Sequence, residues 1–208
     1  MNETVSPRRG PVGPRTLSLC LGALLAAVAA FAALPALAHA RRASARRTRC
    51  QAAHARMGRV PRRDTERATV CLLNLQRIER GLPRLRANRA LVHSAQGWTN
   101  TMVRERAFSH GADFAARISR AGFDWSQIGE NIAGGYRTPS GAVEAWMRSR
   151  GHCENILSPQ FREVGVGFDH GSATSGRWRA GTWTLDFGLR MGQRAPSGDW
   201  SPAEHCPY

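Results

Sequence analysis

The sequence contains no lysine, so the formal net charge of +15 comes entirely from arginine. Acidic residues are also absent between Arg41 and Arg63, where nine of the arginines lie. The excess positive charge therefore sits in an N-terminal arm, and the later chain mixes both signs. A helix-turn-helix, zinc-finger or RNA-binding signature is lacking as well. We expect no nucleic-acid partner; the basic arm either contacts an anionic cell envelope or stays solvated and disordered.

The first 40 residues predict a signal peptide. Three arginines precede an apolar run from Leu17 to Ala38, and Ala38-His39-Ala40 has the small-x-small pattern that signal peptidase recognises. Cleavage after Ala40 would leave a secreted protein that begins at Arg41. The alternative is an uncleaved membrane anchor, because the run is long enough to span a bilayer. In both cases the body of the protein lies outside the cytosol.

The cysteine count agrees with an oxidising compartment. Loss of Cys20 with the signal peptide leaves four cysteines, an even number, which permit three pairings. We favour Cys50–Cys71, which would join the N-terminal arm to the first helix. The partner bond would then be Cys153–Cys206, which would join the C-terminal tail to the middle of the domain.

From Asp64 onward the hydrophobic pattern predicts four helices followed by two strands. The helices begin near Asp64, Asn88, Asp113 and Pro139, and the second is expected to run to about Phe108. Alternating apolar residues then predict one strand from Val164 to Phe168 and another from Trp183 to Phe187, paired as an antiparallel hairpin. Helices followed by strands indicate an α+β fold. We expect a signal peptide over 1–40, a basic arm over 41–63 and one monomeric domain over 64–208.

Three polar clusters lie at places where a purely structural role does not require them. The chain has no short metal motif such as His-Glu-x-x-His, so spacing alone identifies no metal site. Histidine and glutamate are nevertheless common zinc ligands and general acid–base groups. The clusters are Phe108-Ser109-His110, Gly129-Glu130-Asn131-Ile132-Ala133-Gly134 and Gly151-His152-Cys153-Glu154-Asn155-Ile156-Leu157.

These clusters occur with two further motifs, in a fixed order. The additional motifs are Phe161-Arg162-Glu163-Val164-Gly165-Val166-Gly167 and Trp183…Asp186-Phe187-Gly188, and Trp146-Met147-Arg148-Ser149-Arg150 precedes the third cluster. Together they resemble the bacterial branch of the CAP superfamily, the cysteine-rich secretory, antigen 5 and pathogenesis-related-1 proteins. The resemblance covers residues from about 68 to 189. It implies a three-layer α–β–α sandwich with a small antiparallel sheet, a secreted location and a large open cleft.

The resemblance also implies a site. Two histidines and two acidic residues line the family's cleft, and the histidines bind zinc in some members; His110, Glu130 and His152 match three of these positions. The second acid does not carry over, because Ser149 stands three residues after Trp146 where relatives have glutamate. We therefore predict a cleft lined by His110, Glu130, Asn131, Ser149 and His152, with the histidines as candidate ligands of Zn²⁺.

Each of these residues also has a purely structural interpretation. His110 could cap the second helix, Glu130 could tie its loop down through backbone N–H groups, and Asn131 could brace a loop. The leading functional hypothesis is a secreted, non-catalytic binding module for a divalent metal, a peptide, a lipid or an envelope fragment. The alternative is a metal-assisted hydrolase in which Glu130 acts as the general base.

Overall fold

The computed structural model describes residues 50–174, 180–195 and 200–207. Within these ranges no helix is long and apolar enough to cross a membrane. The predicted signal peptide and residues 41–49 of the predicted arm lie outside these ranges and stay predictions. The helices are α1 (Arg62–Ile78), α2 (Arg89–Glu105), α3 (Phe114–Arg120), α4 (Pro139–Met147) and α5 (Arg150–Leu157), and the strands are β1 (Arg86–Ala87), β2 (Trp125–Tyr136), β3 (Glu163–Asp169) and β4 (Gly181–Arg190), followed by a short 3₁₀ helix (Pro202–His205).

The strands form one sheet in the order β1-β3-β4-β2. The strands β3 and β4 pair in an antiparallel manner, as predicted, and β4 also pairs antiparallel with β2. The sheet departs from a wholly antiparallel arrangement at one edge, where the two-residue β1 runs parallel to β3. The long strand β2 forms the opposite edge of the sheet.

Helices cover both faces of the sheet, which gives the three layers expected for the α+β fold. On one face, α1, α4 and α5 pack against the apolar side chains of β3 and β4. This core contains Leu73, Trp146, Met147, Ile156, Leu157, Val164, Val166, Phe168, Trp183, Leu185 and Phe187. Burial of these large apolar side chains is the main favourable contribution to folding.

The other face is covered by α2 and α3, and α2 lies close to β3 because β3 presents glycines there. A Cβ atom at Gly165 would overlap the backbone of Leu91, and one at Gly167 would overlap that of Ala95. Asn88 caps the start of α2, since its side chain accepts hydrogen bonds from two backbone N–H groups of the first turn. This close packing explains the alternation of valine with glycine along β3.

Two elements near the site were not expected from the sequence. The segment from Gly129 to Gly134 is the middle of strand β2, and the residues around His152 form a separate helix, α5. In addition, α2 ends at Glu105 rather than near Phe108. His110 therefore lies beyond the helix, and the interpretation of His110 as its cap is wrong.

Both favoured disulfides are present. Cys50 is bonded to Cys71 of α1, and Cys153 of α5 is bonded to Cys206. Residues just before α1 are also ordered against the domain: the Ala53 carbonyl accepts a hydrogen bond from the Ser140 N–H, and Cys50 and Ala53 are buried. The packed structure thus begins before the boundary predicted at Asp64.

Candidate functional site

The site is built on the edge strand β2, whose neighbouring residues Glu130 and Asn131 point to opposite faces of the sheet. Glu130 contacts His110 and Arg117 on the face that α2 and α3 cover. Asn131 contacts His152 and Asn155 of α5 on the other face. Two helical layers thus meet at this edge, each with one of the predicted histidines.

His110 lies in the loop after α2 and is held by Glu130. Its Nδ1 atom is 2.8 Å from Glu130 Oε1, and 49% of the His110 side chain is exposed against 2% for Glu130. Burial lowers the pKa of His110, and the positive charge of Arg117 lowers it further. A carboxylate at this distance alone would raise that pKa, but Arg117 already balances the charge of Glu130. A neutral His110 that donates Nδ1–H to Glu130 keeps a lone pair on Nε2.

Arg117 of α3 is a site residue that the sequence did not identify. Its guanidinium donates a hydrogen bond of 2.5 Å to Glu130 Oε2 and another of 3.1 Å to the His110 carbonyl. The same guanidinium stacks on the Trp98 ring, 4.0 Å from the ring centroid. Burial raises the pKa of Glu130, while the charge and hydrogen bond of Arg117 lower it. Arg117 lies in a short amphipathic helix that carries no motif, so no sequence signal pointed to it.

Glu130 is therefore bonded through side chains rather than through the backbone N–H groups that its structural interpretation required. Each of its two oxygens has a partner, His110 for one and Arg117 for the other. With almost no exposed side-chain surface, Glu130 orients these groups and does not face solvent. These contacts tie β2 to α3 and to the loop that carries His110.

His152 lies in the first turn of α5, and Ser149 holds it. Ser149 is the residue before α5, and its Oγ is 2.9 Å from His152 Nδ1. Burial lowers the pKa of His152, and a positive charge on His110 lowers it further. Where relatives place the second acid, this chain thus has a hydroxyl that orients the second histidine.

Asn131 joins α5 to β2. Its amide nitrogen donates to the His152 carbonyl at 2.9 Å, and its amide oxygen accepts from Asn155 Nδ2 at 2.9 Å. Asn131 is completely buried, so these bonds are shielded from water. The Asn131 side chain therefore holds the backbone of His152, while Ser149 holds the imidazole ring.

The donor set partly fits a metal ion. Each histidine is bonded through Nδ1, and neither Nε2 atom has a hydrogen-bond partner within the described ranges, as is usual for metal-binding histidines with an outer-shell partner. However, the described residues contain no group of three or more His, Cys, Asp or Glu side chains that could hold a metal ion. Each oxygen of Glu130 already accepts a hydrogen bond. The described residues of this cluster could thus supply two ligands to Zn²⁺, His110 and His152.

A second carboxyl beside the site also escaped sequence reasoning. Asp186 of β4 lies directly opposite Glu130 in the β2–β4 register and is completely buried. The alternation of β4 predicted only that Asp186 faces away from Leu185 and Phe187. Complete burial of an aspartate is unusual, because its charge is costly to remove from water.

Comparison with known proteins identifies the family. The profile of the cysteine-rich secretory protein family (CAP) matches residues 70–187, more than half of the chain. The chain belongs to this family. The matched range of the CAP domain contains all five predicted cleft residues, together with Arg117 and Asp186.

Known relatives share the domain rather than the whole chain. YkwD of Bacillus subtilis is 38% identical over 108 residues, which is 50% of this chain and 42% of YkwD. This chain thus spans less than half the length of that relative. An extracellular SCP-domain protein of Bacillus anthracis is 24% identical with a TM-score of 0.52, covering 64% of this chain and 45% of its own. An outer surface protein of Borrelia burgdorferi is 17% identical with a TM-score of 0.57, covering 63% and 96%. These two structures support the CAP fold.

Proposed function

We propose that this CAP domain is a non-catalytic binding module outside the cytosol, and that His110 and His152 together bind a divalent cation such as Zn²⁺. The proposal rests on one observation: each imidazole ring is held by a hydrogen bond to its Nδ1 atom. Glu130 holds Nδ1 of His110 at 2.8 Å, and Ser149 holds Nδ1 of His152 at 2.9 Å. Both Nε2 atoms then remain available as ligands.

A location outside the cytosol is supported by the two disulfides, which are typical of oxidising compartments. The Bacillus anthracis relative is an extracellular protein and the Borrelia relative an outer surface protein. Attachment of the arm over 41–63 to anionic envelope polymers belongs to the same proposal. It would be salt-sensitive and would be lost when residues 41–49 are deleted, a change that keeps the Cys50–Cys71 bond.

His110 and His152 would hold the cation, which would supply a positive centre for an anionic group of a peptide, a lipid head or an envelope fragment. The chain's own part is to orient the imidazoles through Glu130, Ser149 and Asn131. Glu130 is bonded to Arg117 and His110 and its side chain is almost fully buried, so water has little access to its oxygens.

Zinc titration by calorimetry tests the proposal. We expect micromolar or tighter binding by the mature protein, and loss of that binding in a His110→Ala, His152→Ala double variant that still folds. His93→Ala is the matched control, because His93 is an exposed histidine of α2. It should bind zinc like the unaltered protein. Equal binding by the double variant would exclude the histidine pair as the metal site.

The second candidate function is a metal-assisted hydrolase with Glu130 as general base. Its one structural support is that Glu130 lies within hydrogen-bond reach of a candidate ligand, His110. Catalytic zinc sites usually have three protein ligands, and this cluster offers two. Zinc-loaded protein should therefore leave peptides and envelope fragments intact. Degradation that His110→Ala and Glu130→Gln both abolish would establish the hydrolase and overturn the binding module.

A further inference from the structure

Asp186 and Glu130 bring two carboxyl groups together inside the protein. They are directly opposite residues of β4 and β2, so their side chains lie side by side on the face that α2 covers. Thr184, two residues earlier on β4, contacts Thr99 of α2 on the same face. Asp186 has no exposed surface, and Glu130 is 93% buried.

Both carboxyl oxygens of Asp186 are buried and make no hydrogen bond of good geometry within the described residues. Their polar neighbours are the Ser94 hydroxyl and the Glu130 carboxyl, which lie close enough to shift the pKa of Asp186 through hydrogen bonding. Ser94 Oγ and Arg117 Nε are buried in the same region without a bond of good geometry. An ionised carboxylate in this position would be an uncompensated buried charge, which is strongly unfavourable.

Among the described residues, one permanent positive charge faces the two carboxyls: Arg117 of α3 directs its terminal guanidinium nitrogen to Glu130 Oε2. His110 also contacts Glu130, but burial and the charge of Arg117 lower the pKa of His110 and favour its neutral form. The other described elements packed around Asp186 add no cation: α2 presents the Ser94 hydroxyl, and β3 presents Gly165, which has no side chain. One arginine can balance one carboxylate, so the second carboxyl must be neutral.

We propose that Asp186 is a protonated carboxylic acid that donates its O–H to Glu130 and thereby positions Glu130 toward His110. Glu130 can accept this additional hydrogen bond, because each carboxylate oxygen has two lone pairs and uses one for His110 or Arg117. The charges then balance, with Arg117 positive, Glu130 negative and Asp186 neutral. Asp186 acts through Glu130, so it is a positioning residue.

The electrostatics of the buried pair agree with this geometry. Burial raises the pKa of Asp186 to about 8; the Ser94 hydroxyl lowers it, the negative charge of Glu130 raises it further, and Arg117 opposes that rise. Of two adjacent carboxyls, the one farther from the arginine keeps the proton, as expected when like charges share a site.

Carboxyl NMR of the mature protein labelled with ¹³C at aspartate Cγ tests the proton directly. We expect one aspartate that is still protonated at about pH 6, well above the usual aspartate pKa of about 3.9. That resonance should disappear in Asp186→Asn. It should titrate at lower pH in Glu130→Gln, which removes the neighbouring negative charge, so the assignment holds even if Asp186→Asn does not fold. A spectrum in which every aspartate is ionised at about pH 6 would overturn the proposal, as would a protonated resonance that Glu130→Gln leaves unchanged.

Zinc affinity tests the positioning role of Asp186, and this test rests on the proposed function. Asp186→Asn retains a donor toward Glu130 and should keep the zinc affinity, whereas Asp186→Leu should weaken it by about 10- to 100-fold, as for other outer-shell partners. Equal affinity of folded Asp186→Leu and Asp186→Asn would refute the positioning role. If the unaltered protein binds no zinc, the proposed function fails, while the NMR experiment still decides the proton on Asp186.

Discussion

The side-chain amide of Asn131 donates a 2.9 Å hydrogen bond to the backbone carbonyl of His152, 21 positions later in the chain. Through this bond the edge strand β2 fixes the first turn of α5. Glu130, the preceding residue of β2, holds His110 on the opposite face. Two adjacent residues of one strand thus position both histidines, and β2 links the two halves of the site.

Replacement of Asn131 by aspartate tests this link. Asn131→Asp keeps the shape of the side chain but removes the donor and places an acceptor against the His152 carbonyl. We expect a loss of about 1–3 kcal/mol in the free energy of unfolding, because a buried acceptor loses its partner. Urea unfolding measures this loss, and zinc affinity should fall with it. Asn100→Asp on the exposed side of α2 is the control, since its oxygen can still accept from Gln96. Equal stability of both variants would contradict the structural role of Asn131.

Arg77 of α1 holds the other end of α5. Its guanidinium donates to the backbone carbonyls of Pro83, Ile156, Ser158 and Phe161 and has no exposed surface. Burial lowers the pKa of Arg77 to about 10, with a contribution from Arg162, so the group stays charged at neutral pH. Because the Arg77 guanidinium satisfies four backbone carbonyls, its role is structural rather than ligand binding.

We expect Arg77→Met to cost about 3–5 kcal/mol of unfolding free energy, because it leaves several buried carbonyls unpaired. The stability of Arg77→Lys should lie between that of the unaltered protein and that of Arg77→Met, because lysine restores the charge but not the planar set of donors. Urea unfolding compares them with Arg67→Met, an arginine of the same helix whose side chain is 78% exposed. If Arg77→Met and Arg67→Met were equally stable, the proposed importance of the four bonds would be wrong.

Because α2 lies close to β3, adding one methyl group to β3 should strongly destabilise the protein. In Gly165→Ala the new Cβ would overlap the Leu91 carbonyl, and backbone cannot move aside as a flexible side chain can. We expect Gly165→Ala to lose about 3 kcal/mol or more. Gly97→Ala on α2 is the matched control: nothing lies within 4 Å of its new Cβ, and alanine should stabilise the helix by about 0.5–1 kcal/mol. Thermal unfolding of the two variants should thus shift in opposite directions, and shifts of the same sign would contradict this packing.

Stability should depend on pH through Asp186. Its pKa is raised from 3.8 to about 8 by burial, so between these values the folded state binds a proton that the unfolded state releases. The contribution of Asp186 to stability is therefore complete below about pH 4 and is lost as the pH rises toward 8. Relative to Asp186→Asn, the unfolding free energy should fall by at most ~1.4 kcal/mol per pH unit in this window. Urea unfolding of both proteins at several pH values gives this difference, and a difference independent of pH would argue against a buried neutral Asp186.

Much of the fold follows from local patterns. The apolar stripes of α1 to α4 predicted those helices, and the alternation of β3 and β4 predicted their antiparallel pairing. Asn88 caps α2 as expected, whereas α1 begins at Arg62, before its expected start at Asp64. The strand β2 was missed because residues on both of its faces are buried, and its polar Glu130 and Asn131 break the period-two pattern. The eight-residue helix α5 was missed because a short helix that begins beside glycine carries little periodicity.

The sequence by itself identified the family and indicated an oxidising compartment, since these depend on residue identity and order. It also selected His110, Glu130, Asn131, Ser149 and His152 as candidate site residues. Only the tertiary structure showed which groups each of them contacts. Arg117 and Asp186 reach Glu130 from a different helix and a different strand, and no local pattern encodes contacts between residues so far apart in the chain. The charge balance of the site depends on burial and on distances of a few ångströms, which are properties of the packed molecule.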